Sequence, residues 1–358
     1  LELFYEDRLD IEPGYYATIK RPLRLSTEAL AKVGRTLQLA VTLFSNKIRH
    51  PKFKIRIMSL REMFQGTGVA IVTPFNQDGT IDWTSFEKIV NHIIDGGCEY
   101  IVVLGTTGES ATVHGKEKQE VFSFCNRINA GRVPLVAGIG GNDTHKVMEE
   151  MKSFDLTGYD AILSVSPYYN KPNQEGIFHH YKALDAAAPL PIIMYNVPGR
   201  TGMNVTGETQ VRIARECKNV FATKEASGDF AQINYIIKNK PADFMVISGD
   251  DPITLQMIAA GAEGLISVVA NAYPKDYSDM VRLCLAGKFE EAQKLHYKYT
   301  DIIASMFAEG SPSGVKAYLT EMGLCQNHFR LPVWPVSEKH HSKIKELMKK
   351  VSSVFLQY

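Results

Sequence analysis

One lysine closes an otherwise apolar, β-branched run: Lys224, in "VFATKE" at 220–225. An amine carried at a strand end into a sheltered mouth loses hydration, and desolvation favours its neutral, nucleophilic form. A neutral amine condenses with ketones and aldehydes. The plainer alternative is a structural lysine paired with an internal carboxylate. Tyr195 sits near the end of the preceding run, "LPIIMYN" at 190–196. A phenol there can pass protons during carbinolamine formation and dehydration, or can serve only as a rim tyrosine with a buried ring. Thr106 and Thr107 follow a glycine in "GTTGES" at 105–110. Their hydroxyls and backbone N–H groups can hold a small carboxylate or relay protons, or can simply cap a helix. Arg200 follows Pro198 and Gly199 in "YNVPGRTG" at 195–202. A guanidinium held there can clamp a carboxylate with two parallel hydrogen bonds, where a lone surface arginine would only be solvated.

These residues need a scaffold that brings several strand ends to one rim. Eight short apolar runs recur from residue 68 onward: "GVAIVTP" at 68–74, "YIVVLG" at 100–105, "VPLVAG" at 133–138, "AILSVSP" at 161–167, "LPIIMYN", "VFATKE", "FMVISG" at 244–249 and "GLISVVA" at 264–270. They are apolar on both faces, as strands covered by helices must be. Helical spacing fills the gaps, as in "TSFEKIVNHIIDGG" at 84–97, which follows Asp82 and runs into Gly96 and Gly97. A polar start and a glycine stop suit helix ends. Eight such units predict an α/β fold, a (β/α)₈ TIM barrel whose chemistry gathers at the C-terminal strand ends. A doubly wound sheet fits less well, because no GxGxxG follows the first run and "GIGGN" at 138–142 follows the third. The expected organisation is an atypical N-terminal extension over 1–57, a catalytic barrel over 58–286 and a C-terminal helical appendage over 287–358, interrupted by "LPVWP" at 331–335.

Composition narrows the classes. The 358 residues are 45 % hydrophobic and 22 % charged, with a formal net charge of +1. Those proportions belong to a folded globular protein. No basic tract with interleaved aromatics points to nucleic acid, and no apolar run approaches the roughly 18 residues of a membrane span. Five scattered cysteines without a CxxC pair point to buried thiols in a reducing cytoplasm. HExxH and GxSxG are absent, His179–His180 and His340–His341 are merely adjacent pairs, and "GDD" at 249–251 reads as a loop and helix start. No metal is expected. Residues 1–57 hold eleven Lys/Arg against six Asp/Glu, and "LAVTLF" at 39–44 reads as an element fragment. Met58 looks like a natural beginning, so the extension reads as the product of an upstream-assigned start.

"GTTGES", "PYYNKP", "YNVPGRTG" and "KEASGD", in that order, resemble the dihydrodipicolinate synthase family over about residues 64–350. The broader family includes N-acetylneuraminate lyase and related 2-keto-acid aldolases. The resemblance implies Lys224 as the Schiff-base lysine, Tyr195 as the proton-transfer tyrosine, and Thr106 as its hydrogen-bonding partner linking onward to Tyr169. It implies that Tyr169 reaches a neighbouring subunit's site, so that the minimum complete unit is a dimer, commonly doubled to a homotetramer. Thr107 resembles the residue that holds the pyruvate carboxylate, Arg200 the one that receives L-aspartate 4-semialdehyde, and Gly249 and Ile266 match positions lining the pyruvate pocket. The implied reaction condenses these two substrates through Lys224 on the route to diaminopimelate and lysine, with no external cofactor. Two other readings remain: another pyruvate-dependent aldolase, such as an N-acetylneuraminate lyase-like enzyme, and a non-catalytic barrel.

Lysine-inhibited relatives bind their inhibitor in a cleft between subunits. The matching positions here are Ser110, Ala111, Gly115, Lys118, Asn142, Lys146 and Tyr168. Lys146 stands where the inhibitor's amine would meet an acid, and Lys118 and Gly115 replace histidines. Two cations facing a cationic ligand predict a degenerate effector site.

Overall fold

A computed structural model describes residues 2–8, 18–24 and 58–354. The chain falls into two units, Leu1–Glu62 and Met63–Tyr358, so the expected division at 57/58 lies inside the first. In the first unit, Glu2–Arg8 pairs antiparallel with Thr18–Arg24. The fragment at 39–44 and the reading of an upstream start fall outside the described residues.

The second unit is a closed, all-parallel barrel of eight strands. In chain order these are β1 (Gly66–Ala70), β2 (Tyr100–Val103), β3 (Leu135–Gly138), β4 (Ala161–Val165), β5 (Ile192–Asn196), β6 (Val220–Glu225), β7 (Met245–Ser248) and β8 (Gly264–Ser267). Each pairs with its sequence neighbours, and β8 closes on β1 with Gly264 opposite Gly66. Every residue of β5 and β6 is buried, which is why these runs show no polar alternation. The first run is shorter as a strand than its apolar length predicts. Pro74 has no N–H to give a ladder, and Val72 N–H is taken at 3.1 Å by the Asn271 side chain instead of a strand.

Helices follow the strands: α1 (Trp83–Asp95), α2 (Lys116–Asn129), α3 (Thr144–Ser153), α4 (Gln174–Ala187), α5 (Gly207–Glu216), α6 (Phe230–Asn239), α7 (Thr254–Ala259) and α8 (Pro274–Leu285). Asp82 caps α1 by accepting from Ser85 N–H, and the helix stops before Gly97, which takes a φ of +81° that suits glycine. Its buried face is Phe86, Ile89, Val90 and Ile93, the spacing of a stripe laid on a barrel wall.

Three further helices, α9 (Phe289–Phe307), α10 (Ser313–Glu321) and α11 (Glu338–Val354), form the appendage. Side chains bind it to the loops at the C-terminal strand ends. Arg330 forks onto Glu117 at 2.7 and 2.8 Å and donates to the Gly79 and Thr112 carbonyls. Lys316 of α10 donates to Glu109 of the "GTTGES" loop at 2.5 Å, both side chains being fully buried. Phe75 and Phe329 hold the ammonium between their rings, at 4.5 and 4.6 Å from the centroids.

Candidate active site

Parallel pairing places Lys224 directly opposite Tyr195, and Glu225 opposite Asn196. Alternation along a strand sends the first pair to one face and the second to the other. Lys224 is only 5 % exposed, and its Nζ lies 4.3 Å from the Tyr195 ring centroid. Burial pulls the Lys224 ammonium down to about 8. The neighbouring Asp251 and Asp250 carboxylates work upward against it, and the Arg200 charge adds to the lowering. Burial pushes the Tyr195 phenol up to about 12. Arg200 opposes that rise, Asp250 adds to it, and a hydrogen bond with Thr106 lowers it. The phenol therefore keeps its proton at neutral pH while a useful fraction of the amine has lost its own.

Gly249 and Arg200 stand close to this pair, while Thr107 and Ile266 lie in the loop after β2 and on β8. Thr107 is buried beside the exposed Thr106 in the loop after β2. Ile266 is buried on β8, where it faces Gly68 of β1 in register. Gly249 follows β7 against the lysine stem. A Cβ there would come within 3.0 Å of Lys224 Cγ and Cε and 2.9 Å of the Ala226 methyl, so only glycine leaves the amine its path. Arg200 sits exposed in the helical turn Pro198–Thr201 after β5.

Beside Tyr195 opens a cleft of about 870 Å³, which Lys224 itself does not line. Tyr195, Thr106 and Arg200 line it, and so do Ser110, Ala111, Gly115, Lys118, Asn142, Lys146 and Tyr168. The seven effector-type positions thus share one cavity with the mouth of the site. Lys118, however, is not a free cation, because Glu150 holds it at 3.2 Å. That leaves Lys146, whose ammonium has no acidic partner among the described residues. Tyr169 does not line the cleft. It is 86 % exposed at a φ of +71°, a left-handed conformation that costs a tyrosine roughly 1–3 kcal/mol. Among the described residues it makes no hydrogen bond with Thr106, so the expected link is not formed within one chain.

Three features escaped the sequence reading. "GDD" does begin a 3₁₀ turn, Asp251–Ile253, but Asp251 itself is buried, accepting from Ser267 Oγ and Val268 N–H. Burial lifts its carboxyl to about 6, and Lys224 opposes the rise. Glu225 is buried within a set of side-chain amides, and Glu109 is buried against Lys316. A charged residue directly beside a catalytic-type one was the available signal for Glu225; the other two depend on distant chain segments. Among the described residues, no group of three or more His, Cys, Asp or Glu could hold a metal, and no helix is long and apolar enough to cross a membrane. All five cysteines are free and buried.

Residues 63–351 match the Dihydrodipicolinate synthetase family. The chain belongs to that family. It is 51 % identical over 291 residues to the 4-hydroxy-tetrahydrodipicolinate synthase of Flavobacterium psychrophilum, covering 81 % of this chain and 99 % of the relative. A chloride-inhibited dihydrodipicolinate synthase from Acinetobacter baumannii, solved with pyruvate, superposes with a TM-score of 0.78 at 40 % identity, covering 80 % of this chain and 99 % of that one. The Cyanidioschyzon merolae enzyme, solved with lysine bound, superposes with a TM-score of 0.78 at 36 % identity, covering 81 % and 99 %. Within this dihydrodipicolinate synthetase family member, the matched span includes the whole barrel and all but the end of α11 in its helical appendage.

Proposed function

We propose that this enzyme condenses pyruvate with L-aspartate 4-semialdehyde through a Schiff base on Lys224, as a 4-hydroxy-tetrahydrodipicolinate synthase. The observation that carries the reading is the pair itself: a buried amine held near 8, with a protonated phenol against it on the adjoining strand. The neutral amine adds to the pyruvate ketone, and Tyr195, relayed by Thr106, protonates the departing hydroxyl as water leaves. The imine acidifies the pyruvate methyl, and loss of a methyl proton gives the enamine. Its carbon attacks the semialdehyde's aldehyde group, forming the new C–C bond and an alcohol. The substrate's amine then adds to the imine carbon and displaces Lys224, closing the ring as (2S,4S)-4-hydroxy-2,3,4,5-tetrahydrodipicolinate. The lysine is the electron sink, so no external cofactor is required.

In this reading Thr107 holds the pyruvate carboxylate, Gly249 and Ile266 shape its pocket, and Arg200 receives the carboxylate of the semialdehyde. Tyr169 completes the relay in a neighbouring subunit. Its exposure and left-handed backbone support that role, since strain kept on the surface needs a use elsewhere. The complete unit is then a dimer, doubled to a homotetramer, working in the cytoplasm, where its thiols stay reduced.

Arg200 separates this reading from a different pyruvate-dependent aldolase. Arg200→Ala is expected to lower kcat/KM for the semialdehyde about 10²-fold, as loss of a charge-assisted fork should, while borohydride trapping of pyruvate persists and changes far less, its pH limb moving up only as the lost Arg200 charge lets the Lys224 ammonium rise. Unchanged turnover of the semialdehyde would remove Arg200 from its role. The effector cleft gives a second expectation. With Lys146 in place of an acid, free lysine loses the carboxylate that would meet its α-amine there, and Glu150 in the same cleft is already taken by Lys118. Lysine at low millimolar concentration is expected to leave the rate unchanged; half-maximal inhibition there would contradict the reading.

A further inference from the structure

Beneath the Lys224–Tyr195 pair, on the opposite face of the same two strands, lies a buried carboxylate that the reaction does not touch. We infer that Glu225 is a positioning residue that clamps β5 to β6 and so fixes the placement of Tyr195 and Lys224. The inference rests on the Schiff-base reading of that pair.

Glu225 is wholly buried, and among the described residues no cation shares it. Every bond it makes comes from a neutral donor. Ser227 N–H donates to Oε1 at 2.7 Å, and Gln210 Nε2 to Oε2 at 2.6 Å. Asn196 Nδ2 reaches both oxygens, at 3.2 and 3.0 Å, and Gln232 Nε2 lies 3.4 Å from Oε2. The direction of these bonds is fixed. Ser227 contributes a backbone N–H. Asn196 cannot be turned over, because its Oδ1 already accepts from Val205 N–H at 3.0 Å. Gln210 cannot be turned over either, because its Nε2 also donates to the Val205 carbonyl at 2.9 Å, which can only accept. Both oxygens of Glu225 must therefore accept, which a carboxylate can do and an amide cannot.

The geometry links this clamp to chemistry. Asn196 follows Tyr195 and Glu225 follows Lys224, so their side-chain bond ties the two strands one residue from the reacting groups. Asn196 also holds the loop carrying Arg200. Its Nδ2 donates to Asn204 Oδ1 at 2.8 Å, and its Oδ1 receives Val205 N–H where that loop returns. Nucleophile, proton carrier and carboxylate clamp thus hang from elements that converge on one acceptor. Satisfied by neutral amides alone, it contributes position without placing a compensating cation near the amine.

Glu225→Gln keeps the shape but turns an N–H₂ toward fixed donors. The expected result is a folded protein whose kcat falls about 10²-fold, the scale of a misplaced reacting group, with a much smaller change in pyruvate KM. The alkaline rise in borohydride trapping of pyruvate, set by Lys224, should shift to higher pH as the loosened amine regains water. A residue that merely supported the fold would lower the thermal midpoint and leave that pH limb in place. Asn196→Ala cuts the strand-to-strand bond while leaving the Glu225 side chain in place, and should shift the limb in the same direction; it decides the matter should E225Q not fold. A native kcat and an unshifted limb in a folded variant would overturn the inference. Absence of trapping in the native protein would instead defeat the Schiff-base reading on which it rests.

Discussion

Lys224→Ala abolishes the condensation: turnover of pyruvate with L-aspartate 4-semialdehyde is expected to fall by about 10³-fold or more, since no other group can supply the covalent sink. The other described lysines do not combine burial at a strand end with a lowered ammonium. Lys316 is as deeply buried, and burial lowers its ammonium too, but it lies on a helix with its Nζ engaged by Glu109 at 2.5 Å. The substitution should leave the barrel folded, because β6 keeps its ladder to β5 and β7 and its apolar residues. It also removes the cation that opposes protonation of Asp250 and Asp251, so both carboxyls should become still harder to ionise. Steady-state assays with a circular-dichroism check on the variant measure this. Residual turnover within tenfold of native would mean that the covalent route runs elsewhere.

Tyr195→Phe is the second large effect. Phenylalanine keeps the ring that lies 4.3 Å from Lys224 Nζ and removes only the hydroxyl and its bond to Thr106. General acid–base assistance of this kind contributes about 10²- to 10⁴-fold, so kcat should fall within that range with pyruvate KM little altered. Both halves of the reaction use the proton carrier. Imine formation, read as the rate of borohydride trapping, should therefore slow together with turnover. Native trapping with depressed turnover would confine Tyr195 to the later steps, and a native rate in both would remove it from catalysis.

The fold and the placement of Lys224 beside Tyr195 were legible because their signals are local. Each strand is a short apolar run, and Lys224, Tyr195 and Thr106 stand within or just beyond such runs, where barrel geometry alone sends them to a common rim. The first run was overread because apolar character does not distinguish a ladder residue from one whose N–H goes to a side chain, as Val72 does to Asn271, 199 residues away. The same limit hid the supports. Lys118 reads as a free cation in sequence, and its neutralising Glu150 is 32 residues on. Glu109 finds Lys316 across 207 residues. Glu225 is adjacent to Lys224, but its burial could not be read, because its side-chain donors come from β5, α5 and α6 and only the packing of those neighbouring elements brings them together. Tyr169 shows another boundary. Its motif could be read, but the link to Thr106 that the resemblance implies is not formed within one chain, where the side chain stands exposed.

The central claim is covalent, and trapping tests it most directly. Native protein is incubated with pyruvate, reduced with borohydride and digested, and the modified peptide is identified by mass. One reduced pyruvyl group per chain is expected, on the peptide containing Lys224, with none formed when pyruvate is omitted. A protein that turns over both substrates yet carries no adduct, or carries it on another lysine, would contradict the account.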